Sequence, residues 1–202
     1  MTGHIRLATA DDVDATADVL ARAYVDDPWV AWIVAADGRE ERGRALQVNL
    51  LSVVGVPHGE VWLSEGDDGS ILGAALWLLA DRGIPPEAWA QVAAAEAELM
   101  GERWPYAAAA AAATRHLRPA KPHHVLATLG VLPSERGRGI GSALLAPVLE
   151  RSDRDAVPVY LETSARDNLR FYARLGFEIA EEAALPDGGR PVWALVRAAH
   201  GV

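Results

Sequence analysis

Apolar residues recur along this chain in two periods, and the alternation between them predicts its elements. After a short apolar segment at His4 to Leu7, readable as a strand only if another strand pairs with it, Thr9-Ala10-Asp11-Asp12 supplies N-cap residues. The segment they open runs to Tyr24 and puts Val13, Ala17, Leu20, Ala21 and Tyr24 on one helical face. Asp26-Asp27-Pro28 breaks it, and Pro28 suits the first turn of a second helix in which Trp29, Trp32 and Ile33 share a face. A third helix is predicted from Arg39 to Val54, with Leu46, Leu50 and Val53 inward and Gly55, Pro57 and Gly59 ending it. Then the period changes to two. Glu60 to Glu65 alternates around Val61 and Leu63, Gly66 to Gly69 is a turn, and Ile71 to Leu79 is nearly continuously apolar, which together read as a hairpin with one central strand.

Pro85 to Leu117 reads as two helices divided near Trp104-Pro105, the second holding the alanine run Ala107 to Ala113, whose propensity is helical. Beyond Pro119 and Pro122, Val125 to Val131 is a strand, and Ile140 to about Arg151 is a helix that Pro147 should kink or shorten. Val157 to Thr163 is a strand, and Asp167 to Leu175 a short helix with Gly176 at its C′ position. Phe177 to Glu181 and Val192 to Val196 are the last strands, joined by a turn at Pro186-Asp187-Gly188-Gly189. Strands alternating with helices imply an α/β fold, and the hairpins imply a mixed α+β sheet rather than an all-parallel one.

Composition narrows the picture. With 202 residues, half of them hydrophobic, the chain can bury a core as one domain spanning 1–202. A net charge of -9 opposes nucleic-acid binding, which needs clustered Lys and Arg. There is no cysteine, hence no disulfide, thiolate metal site or cysteine nucleophile. The six histidines lack zinc-protease spacing, so no metal is expected. No apolar run approaches the ~20 residues of a membrane span and the start lacks a signal core, so a soluble cytoplasmic protein, monomer or homodimer, with no membrane partner is expected.

The candidate chemistry begins between Val131 and Leu145, V-L-P-S-E-R-G-R-G-I-G-S-A-L-L. Arg136, Gly139 and Gly141 form R-x-x-G-x-G after a strand and before a helix. Gly137, Gly139 and Gly141 allow several amides to approach one anion, and the helix start adds unpaired N–H groups, so the stretch reads as a phosphate cradle. It lacks the Lys-Ser/Thr of a nucleotide P-loop, and its alternating glycines and late position do not suit a dinucleotide fingerprint. A pyrophosphate carried by something other than ATP or NAD remains. For this hexapeptide by itself, an ordinary glycine-rich turn is the competing reading.

A second signal lies about 30 positions on: Asn168 to Phe177, N-L-R-F-Y-A-R-L-G-F. In this order, with a strand between them, the two motifs resemble the acetyl-coenzyme A-binding core of the GNAT superfamily of N-acetyltransferases, over about Val125 to Val196. The resemblance implies a GNAT fold whose fourth and fifth strands splay apart. Pantetheine of acetyl-coenzyme A then lies in the gap against Leu129, Gly130 and Val131, and the pyrophosphate sits on the amides of Arg136, Gly137, Arg138, Gly139, Ile140, Gly141 and Ser142. Arg136 and Arg138 are charge partners for phosphate, a solvated loop arginine being the competing reading for Arg138. Asn168 and Phe171 join the coenzyme-binding set, although Asn168, like Asp167, is also a possible helix cap.

Acetyl transfer needs an oxyanion site, which main-chain N–H groups near Gly130 and Val131 would provide, and a group to meet the departing thiolate. Tyr172 is that general acid by resemblance, since a phenol (pKa ~10) can protonate a thiolate (~8.5) at little cost; packing beside Phe171 is its alternative. Glu162 is a candidate base acting through water, or else a solvated or arginine-paired carboxylate. The acceptor side falls to the helices at about 10–56 and 85–118, with Asp26, Asp27, Trp29 and Trp32 as candidate substrate contacts, core tryptophans and a turn residue at Asp27 being the competing readings. The expected function is acetylation of a primary amine on a small molecule, such as an antibiotic or aminonucleoside-like compound, by direct attack. A peptide acetyltransferase with an open groove and a non-catalytic acetyl-coenzyme A sensor are the alternatives.

Overall fold

The computed structural model describes residues 3–185 and 188–199. Seven strands form one mixed sheet in the order β1-β2-β3-β4-β5-β7-β6: β1 His4–Leu7, β2 Glu60–Glu65, β3 Ile71–Leu78, β4 His124–Val131, β5 Val159–Thr163, β6 Glu178–Ala183 and β7 Val192–Arg197. Every pairing is antiparallel except β4 with β5. That parallel pair is joined only at His124/Val159 and Val125/Tyr160, so β4 and β5 diverge for the rest of their length. The splay expected from the resemblance is therefore present, and it opens a gap in the middle of the sheet.

The helices are α1 Val13–Ala23, α2 Pro28–Ile33, α3 Arg39–Leu50, α4 Val56–His58, α5 Pro86–Met100, α6 Trp104–Thr114, α7 Ile140–Asp155 and α8 Arg166–Ala173. Alternation along β3 places their packing. Ala74 and Leu76 face Ala17, Leu20 and Leu51 on one side of the sheet, while Ala75 and Trp77 face Ile140, Leu144, Leu145 and Val148 of α7 on the other. Below α7, buried Glu60 on β2 holds Arg151 at 2.8 and 2.9 Å. Helix α1 lies so close on β4 that a Cβ at Gly130 would stand 2.6 Å from Leu20 Cδ2 and 3.0 Å from Ala23 Cβ. Gly130→Ala should accordingly cost about 1–3 kcal/mol by overpacking, read as a lower denaturant midpoint at unchanged slope; an unchanged midpoint would show that α1 can retreat freely.

Two boundaries differ from expectation, each for a local reason. The third helix does not run regularly to Val54: a π turn at Leu51–Gly55 rotates the inward face, burying Leu51 and Val54, while Leu46, Leu50 and Val53 are half-buried against α2, α5 and α6 neighbours. Pro147 does not shorten α7, which runs four residues past Arg151; Val148, Leu149 and Ser152 are buried beyond it, and the Ser152 hydroxyl donates to Val157 C=O at 2.6 Å. Helix α8 ends as expected, Gly176 at φ +85° with Gly176 N–H on Ala173 C=O and Phe177 N–H on Tyr172 C=O, a Schellman pair. The turn expected at 186–189 lies partly outside the described residues, at Pro186 and Asp187. Among the described residues no helix is long and apolar enough to cross a membrane.

Candidate active site

Two cavities open at the gap between β4 and β5. One, of about 1270 Å³, is floored by the glycine loop and α8; the other, of about 890 Å³, lies among α2, α3 and α5. Tyr24, Asp26, Leu129, Asn168 and Tyr172 line both. A molecule in the first cavity can thus present its end to a molecule in the second.

The loop is built as a cradle. Gly137 (φ +77°) and Gly139 (φ +85°) occupy left-handed backbone that residues with a Cβ rarely adopt, and Gly139 is the N-cap of α7 without any side-chain cap. Because the first bond carried into the helix runs from Ala143 N–H to Gly139 C=O, the amides of Ile140, Gly141 and Ser142 have no helical partner. Gly141 serves differently: it is helical, and a Cβ there would sit 3.3 Å from Phe171 Cζ, so its bareness lets the Phe171 ring lie on the helix start. Arg136, Gly137, Gly139, Ile140, Gly141, Ser142 and Phe171 all line the first cavity. Arg138 does not; it pairs with Glu135, as a solvated loop arginine would. Arg136 is only partly available for phosphate, since its Nη2 donates to Ala23 C=O at 2.7 Å and its Nε to Val131 C=O at 3.4 Å, stapling the loop to the C-terminal end of α1.

The open edge of β4 corrects one expectation. Leu132 N–H bonds Leu72 C=O on β3, whereas Leu129 N–H bonds the Tyr24 hydroxyl on the opposite side at 3.0 Å. By strand alternation the main chain of Leu129 and Val131 looks into the gap and that of Gly130 looks toward β3, so Gly130 N–H cannot serve an oxyanion there. Sequence reading missed two further features. The β3–β4 register slips between Leu76/Thr128 and Trp77/Leu126, leaving Ala127 as an unpaired, exposed bulge residue on the second cavity. Tyr24, expected only as a core residue of α1, donates its hydroxyl proton to Leu129 C=O at 2.8 Å and receives Leu129 N–H, with Thr128 Oγ1 at 2.8 Å. Burial raises its pKa, opposed by the bonds to Thr128 and Leu129.

Tyr172 is buried at the meeting of the cavities, its ring 5.1 Å from Phe171 and 5.7 Å from Phe177 between centroids. It packs against these rings and lines both cavities at once. Burial raises the phenol above its ordinary value, with a smaller contribution from Tyr24, so it is a proton donor across the neutral range. Glu162 also reaches the second cavity but is engaged, accepting the Tyr160 hydroxyl at 2.7 Å with Arg118 Nε at 3.9 Å. Neither Asn168 nor Asp167 caps α8, whose N-cap is Ala165; Asn168 is exposed to both cavities instead. Asp26 and Trp29 line the second cavity, and Asp27 caps α2 through Trp29 N–H (2.9 Å) and Val30 N–H (3.2 Å). Trp32 does not line it. Helix α2 is only six residues long, and Trp32 turns to Trp29, Tyr106 and the bare backbone of Gly189.

Comparison with known proteins agrees with this geometry. Residues 89–179 match the family model of the acetyltransferase (GNAT) domain. A solved structure of a histone acetyltransferase HPA2 and related acetyltransferase from Corynebacterium glutamicum superposes with a TM-score of 0.76 at 26% identity, covering 98% of this chain and 97% of that one. A polyamine N-acetyltransferase from Drosophila melanogaster follows the same fold (TM-score 0.59, 20% identity, 96% and 99% covered). So does the alanine N-acetyltransferase of a ribosomal protein from Escherichia coli (TM-score 0.58, 14% identity, 98% and 95% covered). The fold is that of GNAT acetyltransferases, and residues 89–179 are the part that matches the GNAT domain model. In enzyme class it is an acetyl-coenzyme A-dependent N-acetyltransferase.

Proposed function

We propose that this enzyme transfers the acetyl group of acetyl-coenzyme A to a primary amine of a small molecule by direct attack. The observation that carries the reading is the meeting of two cavities at Tyr172, one floored by free loop amides and the other enclosed by α2, α3 and α5. Acetyl-coenzyme A suits the first: its diphosphate would sit on the amides of Ile140, Gly141 and Ser142, and its pantetheine would run along the edge of β4 and pair at Val131, since Tyr24 already holds both main-chain groups of Leu129. When bound it supplies the activated acetyl carbon.

This chain's residues then do the rest. An amine held in the second cavity reaches the acetyl carbon through the gap, where the main-chain N–H of the bulge at Ala127 is available to the oxyanion. As the C–N bond forms and the C–S bond breaks, Tyr172 gives its proton to sulfur, and the ammonium proton leaves through water toward Glu162. The segments Gly59 to Leu63, Leu126 to Pro133 and Leu161 to Ala165 resemble puromycin N-acetyltransferase, which supports a small-molecule acceptor and makes antibiotic amines part of the test.

The test is release of free thiol from acetyl-coenzyme A with a panel of small primary amines, antibiotic amines and peptides. Release with small amines and little with peptides is expected. Selective release with peptides would replace the acceptor class, and coenzyme binding without release under any acceptor would make the protein a sensor.

A further inference from the structure

Helix α5 buries one stripe, Ala88, Val92 and Met100, spaced by four and by eight residues, and Glu96 stands in that stripe at the position between Val92 and Met100. The apolar pattern therefore turns a carboxylate inward where a hydrophobic residue would be expected. Its place on the molecule explains the exception: Glu96 lines the second cavity, together with Gln47, Asp26, Glu162 and Tyr172. Among the described residues no cation or donor meets it, and burial alone raises its pKa. The neighbouring arginines are committed elsewhere, Arg42 to Asp37 and to Leu99 C=O, and Arg39 to Val34 C=O. Beside it on α3, Gln47 Oε1 is buried without a hydrogen-bond partner. An unpaired carboxylate drawn out of water is costly to the free protein, and a cavity wall carrying one together with an orphaned amide oxygen is complementary to a positively charged, donor-rich group.

We propose that Glu96 is a specificity-determining residue which selects acceptors bearing a second cationic group in addition to the amine that is acetylated. The inference rests on the small-molecule acetyl-transfer reading above and refines its acceptor to amines of the diamine or amino-guanidine class. The reacting amine must arrive neutral at the gap, whereas the second group stays charged and pairs with Glu96. The residue touches substrate away from the reacting atoms, so its removal should weaken recognition of one substrate class and leave the acetyl-transfer step in place.

The experiment compares α,ω-diaminoalkanes of increasing length with the corresponding alkyl monoamines in the thiol-release assay, for the native enzyme and for Glu96→Gln. The native enzyme should prefer the best diamine over its monoamine by about 10- to 100-fold in kcat/KM, the range of a charge-assisted hydrogen bond. Glu96→Gln should bring that ratio within roughly 3-fold of unity, acting on KM for the diamine and leaving the monoamine nearly unchanged. The variant should also melt higher than the native protein at alkaline pH without substrate, because an uncompensated charge has been removed. A merely structural Glu96 predicts the reverse in melting and an equal loss for both substrates. Amines turned over with no diamine preference in the native enzyme, a readout that needs no variant, or a preference that survives Glu96→Gln, would overturn this inference alone. Absence of thiol release with every amine would overturn the acetyl-transfer reading and this inference with it.

Discussion

Tyr172→Phe should lower turnover at saturating substrates by about 10²- to 10³-fold while leaving acetyl-coenzyme A affinity and the melting temperature nearly unchanged. The reason for the separation lies in the geometry. The ring is buried against Phe171 and Phe177 and keeps those contacts in the variant, whereas the residue lines both cavities where they meet. Only a group that meets the departing sulfur in the transition state is lost, and such a loss appears in kcat and kcat/KM together. Burial raises the phenol, so the native residue remains protonated to a pH above its ordinary ~10, and below that the deficit should not vary with pH. The rise of kcat/KM with pH then reports deprotonation of the acceptor amine. Unchanged turnover at saturation would remove Tyr172 from the chemistry and leave it a packing residue.

The second large effect is expected at Gly139, where Gly139→Val should weaken acetyl-coenzyme A binding by on the order of 100-fold, measured by titration calorimetry. Gly139 caps α7 with φ +85°, and a β-branched residue there is strained by at least ~1–2 kcal/mol. Relief of that strain rotates the peptide units that present Ile140, Gly141 and Ser142 N–H. The site is exposed loop, so the fold should survive; the sheet and α7 packing do not depend on it. An unchanged Kd would mean the coenzyme does not use this turn.

How much of this was legible beforehand depends on whether a feature belongs to one segment or to two. The glycine loop, the Schellman end at Gly176 and the hairpin of β2 and β3 are local, set by residues adjacent in sequence, and each was readable there. The bulge at Ala127 is a mismatch of register between β3 and β4, and nothing in L-A-T-L-G-V marks it. Tyr24 sits at a correct helical position of an apolar face, which hides that its hydroxyl closes the edge of a strand more than a hundred residues away. The π turn after Leu50 shifted the inward face of the third helix for the same reason: tertiary burial of Leu51 and Val54 outweighed the ideal period. Glu96 could have been suspected as a charge interrupting a four-residue stripe, but an alanine-rich helix gives that stripe little contrast. Three-residue spacing left Trp29 and Trp32 open between core and pocket: both pack in the same clusters, and in a helix of six residues only Trp29 also reaches the cavity, so the core reading holds for Trp32.

The account turns on the amides of the α7 entry gripping a diphosphate, and the most direct measurement is a thermal melt with acetyl-coenzyme A beside one with acetyl-pantetheine, which carries the same thioester without the diphosphate. At about a hundredfold excess over Kd the coenzyme should add about 2.7 kcal/mol of stability, an upward shift of about 5–10 °C for a chain of this size, and acetyl-pantetheine at equal concentration should add little. No shift with acetyl-coenzyme A, or an equal shift with both, would contradict it.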